Sequence, residues 1–261
     1  MRRVWAIALL LLLCAGGVRA ETVRFASVAV GPAAAGPEIT GWLAKPSGPE
    51  PFPAVILAHS CSGQGRNTDA WGARLVEWGY VVLAPDSFAP RGTKAVCKTP
   101  NVVTPNMRVA DVAGALDFLA TRPEVRKGDV GLIGHSHGGS TTLRSLQKVF
   151  DLKARGLRGG VAYYPGCNPA FNAGVDLPLL ILIGEKDDWT PAEACHRLQP
   201  QRPELVETVY YPDAYHAFDV RAPDRTVPGA VGKTHHLAFD PVAAPDAEAR
   251  AKAFFDRILK P

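Results

Sequence analysis

Ser136 lies in the run Gly134-His135-Ser136-His137-Gly138, directly after the apolar stretch Val130–Ile133. Gly-x-Ser-x-Gly is the pattern of a serine held on a sharp turn between a strand and a helix, with its hydroxyl exposed. The glycines lack Cβ, so the two backbones can pass close to the serine. The helix N-terminus beneath it favours negative charge. Five residues alone also fit a glycine-rich β–α turn with no chemistry. The apolar run before and the helical stretch after favour a catalytic serine.

A serine hydroxyl is a weak nucleophile at neutral pH. It needs a base within hydrogen-bond reach, and the base needs an acid to fix its tautomer. Open parallel sheets bind ligands outside the carboxyl ends of their strands. The partners are therefore expected just past later strands. Leu182-Ile183-Gly184-Glu185-Lys186-Asp187-Asp188-Trp189-Thr190-Pro191 puts acids directly after an apolar run. Tyr211-Pro212-Asp213-Ala214-Tyr215-His216-Ala217-Phe218 puts a histidine after the next strand. The order serine, acid, histidine is that of an α/β-hydrolase triad.

From about Ile39 to its end the chain resembles the dienelactone hydrolase family. The resemblance rests on the two stretches just quoted, the serine motif, His59-Ser60-Cys61-Ser62-Gly63 and Asp86-Ser87-Phe88-Ala89-Pro90-Arg91-Gly92. It implies an α/β-hydrolase fold: a mostly parallel sheet, helices on both faces and no large cap domain. It implies Asp187 as the acid, three residues past Gly184, leaving Asp188 as a solvated or helix-capping group. It also implies that the N–H of Cys61 joins the N–H of His137 as oxyanion donors. The family's namesake uses a cysteine nucleophile, and Ser136 stands in that place. The triad geometry therefore carries over, but the dienelactone substrate does not.

Arg91 follows a strand near the expected cleft. It is a candidate clamp for a substrate carboxylate, against a loop ion pair with an acid such as Asp86. Tyr164 and Trp189 are candidate pocket residues, with core or rim packing the alternative. His59 reads as structural, and His135 and His137 as residues that flank the serine rather than bind substrate. His196 reads as a helix-surface residue. His235-His236 lacks an acid or cysteine at ligand spacing and reads as a loop pair rather than a metal site. No metal or organic cofactor is expected.

Setting these residues in place requires alternating elements. Thr22–Val30 and Ile39–Ala44 read as edge strands, and Pro53–His59, Tyr80–Ala84, Asp129–Ile133, Gly159–Tyr163 and Leu179–Ile183 as buried strands. Glu204–Tyr211 reads as a further strand. Helices are expected over Asp69–Trp78, Asn106–Leu119, Gly139–Phe150, Pro191–Leu198 and Ala243–Leu259, with Val109, Val112, Leu116 and Leu119 as the inner stripe of the second. Strands alternating with helices predict one α/β domain over residues 21–261. Asp219–Pro241 has no clear period and reads as a long loop over the sheet, either decoration or a wall of the cleft.

The N-terminus reads as a secretory signal peptide, residues 1–20. Arg2 and Arg3 precede the apolar Ile7–Leu13, and Val18-Arg19-Ala20 offers a cleavage site. The formal net charge is +4, and removing Arg2, Arg3 and Arg19 leaves 4 − 3 = +1. That charge gives no reason to expect nucleic acid or an anionic membrane as partner, and no later apolar run is long enough to span a bilayer. Cys61, Cys97, Cys167 and Cys195 then remain, and an even number in an exported chain suggests disulfides with three possible pairings. In the fold that the chain resembles, the strands before Cys61 and Cys97 are neighbours, as are those before Cys167 and Cys195. The resemblance therefore implies Cys61–Cys97 and Cys167–Cys195.

The expectation is an exported serine hydrolase, periplasmic or secreted, that cleaves an ester or lactone of a small molecule. The alternatives are another carbonyl substrate, an amide or thioester, and a binding protein on the same scaffold. Oligomeric state leaves no mark on the sequence.

Overall fold

A computed structural model describes residues 20–168 and 174–260. The predicted signal peptide lies outside them apart from Ala20. The strands are β1 (Glu21–Phe25), β2 (Ile39–Ala44), β3 (Phe52–Ala58), β4 (Val81–Asp86), β5 (Val125–His135), β6 (Leu157–Tyr163), β7 (Leu179–Gly184) and β8 (Val206–Tyr211). They form one sheet in the order β1-β2-β4-β3-β5-β6-β7-β8. The β1–β2 and β2–β4 pairs are antiparallel, and every pair from β4 to β8 is parallel.

The central strands are apolar at consecutive positions because both faces are covered. In β3, Ala54, Ile56 and Ala58 face one core while Val55 and Leu57 face the other. Helices α2 (Pro105–Ala120) and α3 (His137–Ser145) cover the first face; α1 (Arg66–Glu77) and α5 (Ala243–Leu259) cover the second. A short α4 (Ala192–His196) joins the first side through Ala192 and Cys195. This is the α/β-hydrolase architecture, and among the described residues no cap domain sits over it.

The chain winds outward from β3 through β4 in one direction and from β5 to β8 in the other. The loops after β3 and β5 therefore part at the switch point, where open α/β sheets carry their ligand sites. Disulfides join Cys61 to Cys97 and Cys167 to Cys195, with Cα atoms 4.9 Å apart in each. They tie the loop after β3 to the one after β4, and the loop after β6 to helix α4.

Among the differences from expectation are β1, α3 and the segment after Asp219. β1 ends at Phe25, because Ser27 turns inward to donate to Asp111 at 2.8 Å. α3 stops at Ser145 and gives way to a short 3-10 turn over Lys148–Phe150. The segment expected as a long loop contains a hairpin, β9 (Arg225–Pro228) paired with β10 (Thr234–Leu237). Its strands are only four residues each, too short for a periodic signal. Leu237 also bridges to His216, which seats the hairpin beside the carboxyl end of the sheet.

Candidate active site

Ser136 occupies the turn from β5 into α3 with φ 54° and ψ −113°, a left-handed conformation that a non-glycine residue adopts at a cost. Crowding enforces it. A Cβ on Gly134 would lie 2.1 Å from the Gly138 carbonyl oxygen, and one on Gly138 would lie 2.0 Å from that of Ala58. Both contacts are with backbone that cannot yield, so the flanking positions must be glycine. The Ser136 N–H donates to the Tyr163 carbonyl at 2.9 Å, which ties the turn to the neighbouring strand β6.

Asp187 follows β7 and is buried. Its Oδ1 accepts the N–H groups of Trp189 (2.9 Å) and Thr190 (2.8 Å), an Asx turn that fixes the carboxylate plane. Its Oδ2 accepts the Thr190 hydroxyl at 2.9 Å and the Nδ1–H of His216 at 2.7 Å. With Nδ1 donating, Nε2 of His216 is an acceptor, and it faces the Ser136 hydroxyl at 3.1 Å. The three side chains, far apart in the chain, form one hydrogen-bonded line. All three are buried, which strengthens each bond relative to water.

The remaining predicted site residues divide. Cys61, in the loop after β3, and His137, the first residue of α3, line one depression of ≈ 410 Å³ together with Ser136. Among the described residues neither backbone N–H has an intramolecular acceptor. Tyr164 lines a second depression of ≈ 340 Å³ that also reaches Ser136. Its ring meets His216 edge-on at 4.7 Å, and its hydroxyl donates to Asp219 at 2.7 Å. Trp189 stands between the depressions and lines both. It leans on His216 at 5.1 Å and stacks on His235 at 4.6 Å.

Arg91 is not a carboxylate clamp. Its guanidinium makes two 2.8 Å bonds to Asp111 and one of 2.7 Å to the Ser87 carbonyl. The Arg91 side chain is 8% exposed and that of Asp111 1% exposed, so the pair is committed to the interior. Asp86, the partner considered from sequence, instead accepts the N–H groups of Phe88 and Ala89.

Asp188 is neither merely solvated nor a helix cap. Its carboxylate accepts the His236 N–H at 3.1 and 3.2 Å, while its carbonyl pairs with the His235 ring at 3.0 Å. It thus anchors the β9–β10 hairpin to the acid loop. The hairpin walls both depressions, through Lys233 and His235 on one side and Val227 and Leu237 on the other. His235 and His236 diverge, the second ring pairing with Asp224 at 2.5 Å.

Two contributors escaped the sequence reading. Asp219 is a buried carboxylate that accepts from Tyr164 and, at 2.8 Å, from the Trp71 indole N–H. It fixes the tyrosine that backs His216. Its signal was its place three residues after that histidine. Arg108, on α2, is fully buried and reaches both the His59 carbonyl and the His137 ring, at 2.9 Å each. It lies one turn before Val112, so its spacing put a cation on an apolar stripe.

Burial also sets the charge state of the nearby histidines. It lowers the His135 pKa to about 4. Burial, and then the Arg108 charge, lowers that of His137 to about 3. His59 is held well below its ordinary value, again chiefly by burial. Burial and then Asp219 push the Tyr164 phenol well up. These four rings are neutral at pH 7.

A mostly parallel sheet, two-sided helix cover and an elbow at the switch point define an α/β-hydrolase. The family model for the dienelactone hydrolase family matches residues 39–259, and the chain belongs to that family of hydrolases. A "Putative carboxymethylenebutenolidase" of Methylorubrum extorquens is 24% identical over 222 residues, 74% of this chain and 73% of that protein. A Synechocystis protein of the same description is 26% identical over 113 residues, a match spanning only 46% of that relative. Among solved structures, the dienelactone hydrolase-like promiscuous phosphotriesterase P91 from metagenomic libraries superposes with a TM-score of 0.70 at 18% identity, covering 93% of this chain and 99% of that one. The Pyrococcus furiosus esterase Pf2001 does so with a TM-score of 0.67 at 18% identity, covering 93% and 94%.

Proposed function

We propose that this protein is a serine esterase or lactonase that acts on small molecules through an acyl-enzyme. The observation that carries the reading is His216, which bridges Asp187 and Ser136 with an acceptor nitrogen toward the hydroxyl. His216 takes the Ser136 proton as the oxygen attacks the carbonyl carbon. Asp187 holds the ring and stabilises the imidazolium that results. The N–H groups of Cys61 and His137 receive the oxyanion. When the tetrahedral species collapses, His216 gives its proton to the leaving alkoxide. Water, deprotonated by the same ring, then attacks the acyl carbon, and a second collapse frees the acid and restores Ser136. The depressions on either side of Ser136 suit the acyl and leaving groups. A lactone would keep both parts in one product.

The disulfides support an oxidising compartment. With the N-terminal pattern they support export after cleavage behind Ala20.

A fluorophosphonate probe and a panel of p-nitrophenyl esters and small lactones test the reading. Wild type is expected to be labelled and to turn over a member of the panel, and Ser136→Ala to do neither. Labelling that survives in Ser136→Ala, or no labelling of the folded wild type, refutes it.

A further inference from the structure

Arg108 is costly to bury. It sits in the first turn of α2 and points into the protein, 2% exposed. A buried guanidinium is ordinarily matched by a carboxylate. The nearest buried acid on the same helix, Asp111, is taken by two bonds from Arg91 and one from Ser27. Asp86 lies close enough to attract it, but Asp86 is bonded to the amides of Phe88 and Ala89. Among the described residues, Arg108 donates only to neutral atoms: the His59 carbonyl oxygen and Nδ1 of His137. It also lies over the Phe88 ring, 5.3 Å from its centroid. Arg108 is thus attracted first by Asp111 and also by Asp86, yet both carboxylates are bonded to other donors.

The two acceptors explain the arrangement. His59 lies two residues before Cys61, at the start of the loop after β3. His137 immediately follows Ser136. One nitrogen of Arg108 therefore binds both segments whose amides are proposed to receive the oxyanion. Its donation to His137 Nδ1 requires a lone pair there, so that ring is neutral, in keeping with its lowered pKa. His59 is fixed in the same manner: Nδ1 donates to the Ser60 carbonyl and Nε2 accepts the Ser87 N–H. Among the described residues, the formal charge in direct contact with the two segments is thus the guanidinium, and it is poorly screened in a dry interior.

We propose that Arg108 is a positioning residue of the oxyanion hole. It sets the spacing of the Cys61 and His137 amides and holds a positive charge behind the developing oxyanion, without touching substrate. This rests on the serine-hydrolase reading above. An interaction that matters only once negative charge develops changes kcat and not ground-state binding.

The test compares wild type, Arg108→Met and Arg108→Lys as purified full-length proteins, with p-nitrophenyl acetate as substrate and phenylboronic acid as a tetrahedral-adduct inhibitor. Loss of a complete oxyanion donor costs about 10²–10³ in kcat, and a displaced donor costs less. Arg108→Met is expected to lose roughly 10–100-fold in kcat, with KM within about threefold and boronate affinity falling in step with kcat. Arg108→Lys, which keeps the charge, is expected to recover a good part of both. His137→Ala retains the backbone amide but removes one anchor of the staple. It is expected to show the same split to a smaller degree, and it serves if Arg108→Met does not fold.

Wild-type kcat and boronate affinity in folded Arg108→Met, or in His137→Ala if the former does not fold, overturn the proposal. So does a loss that falls on KM alone. Fluorophosphonate labelling of wild type separates the levels: without Ser136-dependent labelling the hydrolase reading fails first, whereas with it these results bear on Arg108 alone.

Discussion

Replacing Asp187 by Asn keeps the shape of the side chain and changes its hydrogen-bonding capacity at one atom. In the native site Oδ1 accepts two backbone N–H groups at 2.9 and 2.8 Å, so it must remain an oxygen. The NH₂ of the substituted amide is then forced into the place of Oδ2, facing His216 Nδ1. Two donors cannot meet there, and His216 must adopt the other tautomer, with its proton on Nε2. That proton points at Ser136, and the base is lost. The same exchange in a serine protease triad lowers kcat by about 10⁴, or about 5.5 kcal/mol. The structural cost is small by comparison. The Thr190 hydroxyl can turn its hydrogen to the Tyr164 carbonyl, 3.0 Å away, and accept from the new NH₂. Asp188→Asn is a control of identical chemistry one residue on. It weakens a charged acceptor of the His236 N–H, worth about 1.5–3 kcal/mol at most to the hairpin anchor, and leaves His216 untouched. Steady-state hydrolysis of p-nitrophenyl acetate at pH 8 is expected to show Asp187→Asn down by about four orders of magnitude with a near-native melting temperature. Asp188→Asn is expected to lose no more than about 10², chiefly through KM. Comparable losses in the two variants, or an Asp187→Asn enzyme within tenfold of wild type, would refute the reasoning.

Two further outcomes concern stability. His59, His135 and His137 have pKa values below the ordinary histidine range, about 4 for His135 and about 3 for His137. The unfolded chain takes up these protons below about pH 6.5 and the native chain does not, so stability is expected to fall as pH drops from about 6.5 toward 4. Each histidine contributes up to about 1.4 kcal/mol per pH unit in that window, and urea unfolding at pH 7 and pH 5 measures the sum. A flat profile between them is the contrary result. The disulfides close intervals of 36 and 28 residues, each worth about 3–4 kcal/mol through the unfolded chain. Cys97→Ala and Cys195→Ala are expected to lose similar stability, but only Cys97→Ala should also slow turnover, since Cys61 lies beside the proposed oxyanion site. Equal kcat in both variants would contradict the role given to that loop.

The elements that surround the site were legible because burial on both faces leaves a local mark. Continuous apolar runs specify β3, β4, β6 and β7, and the helical period specifies α5 to its boundaries, Ala243–Leu259. The glycines around Ser136 are legible for a similar reason, since neighbouring backbone forbids a Cβ at Gly134 and Gly138. The order Ser136, Asp187, His216 follows from strand ends met in sequence.

What the chain alone left open depends on which distant atoms meet. Arg91 has the chemistry of a carboxylate clamp, but Asp111, twenty residues later, claims it across one turn of the fold. Arg108 and Asp219 carry no motif. Their partners come from α1, from α3 and from the residues just past β3 and β6, and no local pattern records a partner so far away. The hairpin that walls the cleft is invisible for the opposite reason: with four residues per strand it has too little periodicity to be seen, and its place comes from Asp188 and His216. The sequence determined the strands, the turn and the order of the serine, the acid and the histidine, because these are written in contiguous residues. Tertiary structure decided which charges were already paired, because pairing is settled only when the chain has closed on itself.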